Sequence, residues 1–220
     1  MPSPAERLRA LDSCAVSDAL DKLGLGGAVS ALRQLSSPRR IAGRVMTCRL
    51  VATPAVPGNA SAARHLGTAA IERAEVGDVI VVEQRTGLDA AGWGGILSLA
   101  AKLRSIAAVV CDGPVRDVDE AREHDFPIYA RSATPRTARG RIAEAATGEP
   151  IHIVEIEVRA GDYVIADASG VVFVPSSEVE RALDTAEAIA RRESAMARAL
   201  KAGKAVSQVM GADYEHMLHS

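Results

Sequence analysis

Apolar and polar positions along the 220-residue chain follow two periods in turn, one helical and one extended. Ser3, Pro4 and Glu6 form a helix start: the hydroxyl caps, proline sits in the first turn, and the carboxylate follows three residues after the cap. The helical region predicted from there ends near Leu23, where Gly24, Gly26 and Gly27 stop it. From Arg40 to Thr53, Arg44, Thr47 and Arg49 are interspersed among Val45, Met46, Cys48, Leu50 and Val51, the pattern of a half-buried strand, and Pro54, Pro57 and Gly58 end it. A helix is predicted from Ala62 to Ala74, a turn at Gly77-Asp78 and a short buried strand from Val79 to Val82. Gly92, Trp93, Gly94 and Gly95 then lead into a helix over Ile96 to Arg104, where Ile96, Leu99, Ala100 and Leu103 recur at helical spacing.

A buried strand from Ile106 to Cys111, a turn at Asp112-Gly113, a short helix from Val118 to His124 and a strand from Ile128 to Ala130 complete an alternating β/α pattern. Arg131 to Pro150 reads as a long polar loop. Ile151 to Val158, Tyr163 to Ala166 and Val171 to Val174 read as strands, the last two as a hairpin. Ser177 and Glu180 mark a capping box before a long helix, roughly Glu178 to Leu200, that ends at Gly203. One internal echo stands out: Gly77-Asp78-Val79-Ile80-Val81-Val82 resembles Gly161-Asp162-Tyr163-Val164-Ile165-Ala166, although two such units do not make a solenoid.

With 48% hydrophobic residues the chain can build a substantial core, and it is expected to form one domain over residues 1–220 with a C-terminal helical extension from about residue 178. Twenty-six basic against 28 acidic residues leave a net charge of -2, which argues against a broad cationic surface for nucleic acid or membrane. No apolar run approaches the roughly 20 residues needed to cross a bilayer. Glu6 and Asp12 do not suit a secretion signal, so a cytoplasmic location is expected. Cys14, Cys48 and Cys111 lie far apart, which excludes a disulfide framework or a close metal-binding pair, and 3% aromatic content leaves little for base stacking.

Two stretches carry candidate chemistry. The glycines at 92, 94 and 95 precede a helix, so the amides of Gly94, Gly95, Ile96 and Leu97 would point at a carboxylate or phosphate; equally, the glycines serve a tight turn and close packing. Leu97 stands where a dinucleotide fingerprint needs its third glycine, which removes that explanation. The second stretch, Asp112 to Glu120, follows a buried strand. Arg116 offers a fork of donors for a carboxylate or enolate, and Asp117 a hard oxygen ligand for a cation such as Mg2+. Alternatively, Asp117 caps the next helix with Glu120 completing a box, and Arg116 pairs with Asp119 or Asp112.

Gly95, twenty intervening residues, Arg116-Asp117, two more and then Glu120 match the signature of the RraA-like family, which the chain resembles from Val16-Ser17-Asp18-Ala19-Leu20 through Trp93-Gly94-Gly95 and Asp112-Gly113 to Gly170-Val171-Val172. That family includes divalent-metal-dependent pyruvate aldolases acting on 4-hydroxy-4-methyl-2-oxoglutarate and 4-carboxy-4-hydroxy-2-oxoadipate. The resemblance implies an α/β fold, a swivelling β/β/α sandwich flanked by N- and C-terminal helices, assembled as a homotrimer or hexamer. It implies that the amides at Gly94, Gly95, Ile96 and Leu97 hold a small 2-oxo acid, that Arg116 contacts it, and that Asp117 binds Mg2+ or Mn2+ directly or through water. Glu193 is the candidate for an acidic residue contributed by a neighbouring subunit. The implied activity is cleavage of 4-hydroxy-2-oxo acids to pyruvate and a second carbonyl compound through a metal-stabilised enolate. The same chemistry permits oxaloacetate decarboxylation.

The rival from another class is a non-catalytic module that binds ribonuclease E, since the family includes such a regulator. A menaquinone methyltransferase is discounted for want of a glycine-rich cofactor loop. A Schiff-base mechanism is less attractive, because Lys102 reads as a buried stem with a solvated head. His65 and His124 read as surface or packing residues, and His216 and His219, three apart, belong to a fraying tail. Arg131, Arg136, Arg139 and Arg141 are candidates for contacts to a distal carboxylate or form a solvated loop.

Overall fold

The computed structural model describes residues 2–53 and 65–211, so the Pro54-Pro57-Gly58 stop, the start of the helix predicted from Ala62, and His216 and His219 lie outside the described residues. The elements run α1 (Pro4–Arg9), α2 (Ser13–Lys22), β1 (Ala28–Val29), β2 (Arg33–Gln34), β3 (Ile41–Ala52), α3 (Thr68–Arg73), β4 (Val79–Glu83), α4 (Gly95–Leu103), β5 (Ala108–Val115), α5 (Val118–Glu123) and β6 (Ile128–Ala133). There follow β7 (Ile142–Thr147), β8 (Ile151–Ile153), β9 (Ile156–Val158), β10 (Tyr163–Asp167), β11 (Gly170–Val174), α6 (Val179–Lys201) and α7 (Val206–Val209). The fold is a mixed α/β one, as the sequence implies. The main sheet has the order β1-β11-β10-β3-β4-β5-β6-β2, and β7 pairs with the far half of β3. Strands β3 to β6 are parallel, joined by α3, α4 and α5, which realises the predicted β/α alternation.

Strand β3 joins two pairing schemes. Its residues 41–44 lie antiparallel to β10, and residues 45–49 lie parallel to β4. Gly43 sits at the changeover, where a Cβ would collide with the Gly77 carbonyl and come within 3.0 Å of Val79. The internal echo has its counterpart here. Asp78 accepts the Glu75 amide at 2.9 Å and Asp162 the Arg159 amide at 2.8 Å, each carboxylate closing the turn that launches a strand onto one side of β3.

Because β4 is central and parallel, it is buried on both faces and reads as an unbroken apolar run. Ile80 and Val82 point to the α3–α5 side with Trp93, Leu97 and Phe126; Val79 and Val81 point to the opposite side, where the β8–β9 hairpin packs Ile151 and Ile153. A third cluster joins α1, α2 and the first half of α6 to β10 and β11 through Leu8, Val16, Leu20, Ile165 and Leu183. Arg7 locks α1 to α6 by reaching Glu180, Asp184 and Glu187, each at 2.7 Å. No helix among the described residues is long and apolar enough to cross a membrane.

Several expectations require correction. The N-terminal helical region is two helices, because Ala10 ends the first and Asp12 caps a second through the Ala15 amide. Asp112 and Gly113 are not a turn: β5 runs on through Val115, with a register shift against β6 between Cys111 and Pro114. The loop predicted from Arg131 to Pro150 contains β7, an alanine-rich strand that takes its register from β3. The strand predicted from Ile151 to Val158 is a hairpin, reversed where Val154 adopts a left-handed φ of 55°. The capping box before α6 does not form; Glu178 occupies the cap position and bonds Arg181, while Glu180 is engaged by Arg7. On α4, Ile96 and Leu103 face outward, 78% and 77% exposed, and Leu97, Ser98 and Ala101 are the buried face.

Gly43→Ala is expected to destabilise the fold by about 1–3 kcal/mol, since the obstructing atom is a backbone carbonyl that cannot rotate away; urea unfolding measures it. The Arg7 guanidinium holds the Glu187 carboxyl below its ordinary range, so this pair contributes stability above that range and loses it as pH falls through the lowered value. Arg7→Gln should therefore lower the thermal midpoint at pH 7, and the difference from the wild type should shrink as pH drops below about 4.

Candidate active site

The β4 and β5 strands end side by side, and the chain beyond each is drawn to the other by backbone bonds. Gly92 N donates to Pro114 O at 2.8 Å, and Arg116 N donates to Trp93 O at 3.0 Å. Gly92 lets this approach be close, because a Cβ there would stand a tight 3.1 Å from Cys111 Sγ and from Gln84 Cγ. Gln84, 3% exposed, pins the returning loop by donating to Ala90 O at 2.6 Å. Trp93 is 1% exposed; its indole N–H donates to Ser98 Oγ at 3.0 Å, and Ser98 in turn donates to Gly94 O at 3.0 Å. This clasp fixes the first turn of α4 against its approach.

The two candidate stretches meet there. Gly95 N donates to Asp117 Oδ2 at 3.0 Å, and Arg116 Nε lies 3.0 and 3.1 Å from the two Asp117 oxygens. A Cβ on Gly94 would come within 3.0 Å of Asp117 Oδ2, and one on Gly95 would strike the Glu120 carboxylate. The glycines permit close packing here, and the Gly95 amide is taken by the protein's own Asp117. Among the described residues the amides of Ile96 and Leu97 meet no protein acceptor.

The capping alternative for Asp117 is not what forms. Asp117 stands at the N-cap position of α5 but makes no cap bond, and its backbone is left-handed at φ 57°, ψ 42°, which costs a non-glycine residue on the order of 1 kcal/mol. Arg116 pairs with Asp117; Asp119 instead binds Arg122, and Asp112 binds Arg131. Arg116 and Asp117 remain 39% and 27% exposed, open to a ligand.

A cavity of about 220 Å³ is walled by Gly94, Gly95, Ile96, Leu97, Arg116 and Asp117 together. Sequence reasoning missed other parts of the wall: Trp93 and Leu66, which are apolar, and His65 and Thr137, which carry hydrogen-bonding groups. His65, expected as a surface or packing residue, is exposed, with its Nδ1 3.1 Å from Leu66 O. Nothing in the local pattern near residue 65 reports a fold-back onto α4, and Gln84 carries no motif at all.

Other candidates go elsewhere. Glu193 is exposed on α6, where partial burial and then Asp12 and Asp18 push its carboxyl upward; it does not line the cavity of its own chain. Arg136 pairs with Asp89, and Arg141 donates to Thr137 O, so the arginines of 131–141 do not gather at the cavity. Lys102 donates to Asp125 O at 2.9 Å, away from it. Burial pushes the Cys48 and Cys111 thiols up, which argues against either as a thiolate. Among the described residues no three His, Cys, Asp or Glu side chains cluster as a metal cage.

A family described as Aldolase/RraA, RraA-like, matches residues 13–173. The chain is 32% identical over 139 residues to a 4-hydroxy-4-methyl-2-oxoglutarate aldolase of Thermus thermophilus, an alignment covering 62% of this chain and 76% of that one. It is 26% identical over 208 residues to the protein DlpA of Legionella pneumophila, covering 94% of this chain but spanning only 33% of DlpA. Among solved structures, a Pseudomonas syringae protein superposes with a TM-score of 0.83 at 24% identity, covering 94% of this chain and 96% of that one. RraAS2 of Streptomyces coelicolor, described as an unusual member of the RNase ES inhibitor RraA protein family, gives 0.76 at 24% identity, covering 88% and 96%. These two likenesses establish the fold. The matched segment contains both the glycine turn and the Arg116-Asp117 couple, and the chain is a member of the RraA-like, Aldolase/RraA family.

Proposed function

We propose that this protein is a carbon-carbon lyase that cleaves 4-hydroxy-2-oxo acids to pyruvate and a second carbonyl compound. The observation that carries the reading is the single cavity shared by the α4 turn and the Arg116-Asp117 couple. Its support in kind is the relative named as an aldolase.

The residues suit a water-rich divalent ion. Mg2+ and Mn2+ need only one or two protein carboxylates, and Asp117, with the Glu120 carboxylate beside Gly95, meets that requirement. Held by Asp117, the ion would supply Lewis acidity for the 2-oxo oxygen. Arg116 uses Nε on Asp117, which leaves its terminal nitrogens to bind the substrate carboxylate or the oxygen that gains charge. The amides of Ile96 and Leu97 add two donors at the positive end of α4. His65 lines the same cavity with its Nδ1 3.1 Å from Leu66 O, and we assign its imidazole the proton of the C4 hydroxyl. As that proton leaves, the C3–C4 bond breaks and its electrons pass to the 2-oxo oxygen; protonation at C3 then gives pyruvate. Oxaloacetate, yielding the same enolate on loss of carbon dioxide, is the expected side substrate.

A panel of 4-hydroxy-2-oxo acids assayed for pyruvate release tests this. Release should stop after chelation and return with Mg2+ or Mn2+; full turnover after exhaustive chelation refutes the metal role. A chain that captures ribonuclease E and releases pyruvate from none of the acids is a regulator, not a lyase. Arg116→Lys should keep the thermal midpoint and lose about 100-fold in turnover, because an ammonium cannot hold Asp117 and substrate as a planar fork does. An unchanged rate would remove Arg116 from the chemistry.

A further inference from the structure

A second and larger cavity, about 470 Å³, opens at the carboxyl ends of the parallel strands β4, β5 and β6, and it shares no wall residue with the first. Ligands of open α/β sheets gather at such strand ends, and the volume suits a small molecule. Its floor is Gly113 and Pro114, and its charged groups are Arg85, Arg131, Asp112 and Asp89.

Asp112 is the anchor. Its side chain is completely buried, and burying a carboxylate is costly unless it is paired and bonded. Arg131 Nε bonds Asp112 Oδ1, the Val154 amide donates to Oδ2 at 2.8 Å, and Arg85 Nε stands 3.8 Å from Oδ2. Only Nε of Arg131 is engaged; its terminal nitrogens meet no partner among the described residues, and the side chain is 42% exposed. Arg85 is held just as loosely, its other contact being 3.8 Å to the exposed Glu155. Asp89 is answered by Arg136 at 3.1 Å. Asp112 therefore bonds one guanidinium and stands 3.8 Å from a second, and most of their donors have no partner among the described residues, an arrangement that suits an anion with several oxygens on one atom.

We propose that this cavity is a binding site for a small anion, a carboxylate or a phosphoryl group, gripped between Arg85 and Arg131 and separate from the Arg116 cavity. Neither arginine takes part in the proposed cleavage, and the site is read by binding, so its outcome does not depend on the lyase activity.

Isothermal titration of the full chain with inorganic phosphate, and separately with malonate, tests the assignment. Saturable binding at a site that survives Arg116→Gln is expected with at least one probe, and the tighter of the two at that site tells a phosphoryl from a carboxylate ligand. Arg131→Gln and Arg85→Gln should each weaken binding at that site about tenfold or more, while Arg116→Gln should remove only binding in its own cavity. Should Arg131→Gln unfold by releasing Asp112, Arg85→Gln decides, since among the described residues that side chain makes no contact closer than 3.8 Å to another charge. Absence of saturable heat with both probes overturns the proposal, as does wild-type affinity in Arg85→Gln. A loss in Arg116→Gln as large as that in Arg85→Gln would move the anion to the other cavity and overturn it too.

Discussion

The site depends on a carboxylate being brought to the first amide of a helix across two positions that have no side chain. The Gly95 to Asp117 bond is possible because Gly94 and Gly95 leave α4 bare where α5 begins; a methyl group at either would meet Asp117 or Glu120. In return, the partial positive charge at the start of α4 offsets the left-handed backbone that Asp117 adopts. Arg116 closes the arrangement from the other side. The couple is thus one electrostatic unit, and its geometry comes from backbone bonds at Gly92–Pro114 and Trp93–Arg116, not from the reach of flexible side chains.

The same residues explain why part of the site was legible in sequence and part was not. Glycines before a helix and a charged pair just after a buried strand are local signals, and both elements form where the pattern places them. Partner choice is not local. Asp117 has the spacing of a cap and declines it because a better donor, Gly95 N, arrives from 22 residues upstream. Ser177 and Glu180 show the same failure: the box pattern is present, but Arg7, far away in sequence, takes Glu180. Strand β7 was invisible for a related reason, since Ile142–Thr147 has weak extended character and owes its conformation to the edge offered by β3. The apolar stripe on α4 misled because that helix has apolar residues on two faces, and spacing alone does not say which meets the sheet.

The paired turns at Asp78 and Asp162 show a faint sequence repeat gaining meaning from topology. Each carboxylate caps the amide three residues before it and directs an apolar strand onto β3, one parallel and one antiparallel. Since β4 carries the chain into the glycine turn, the rigidity of that launch fixes where Gln84 and then Trp93 stand. The long strand between the two units is the common reference, with Gly43 letting the Gly77 turn approach its backbone.

Within one chain, Asp117 and Glu120 are the carboxylates placed beside the α4 turn. Glu193 sits on the half of α6 that runs beyond its buried residues, the last of which is Ile189, and it faces Asp12 and Asp18. Arg7 fixes the earlier half of that helix against α1, so α6 cannot swing Glu193 toward Asp117 without breaking three ion pairs and exposing Leu183 and Ala186. Glu193 therefore stays apart from the cavity of its own chain.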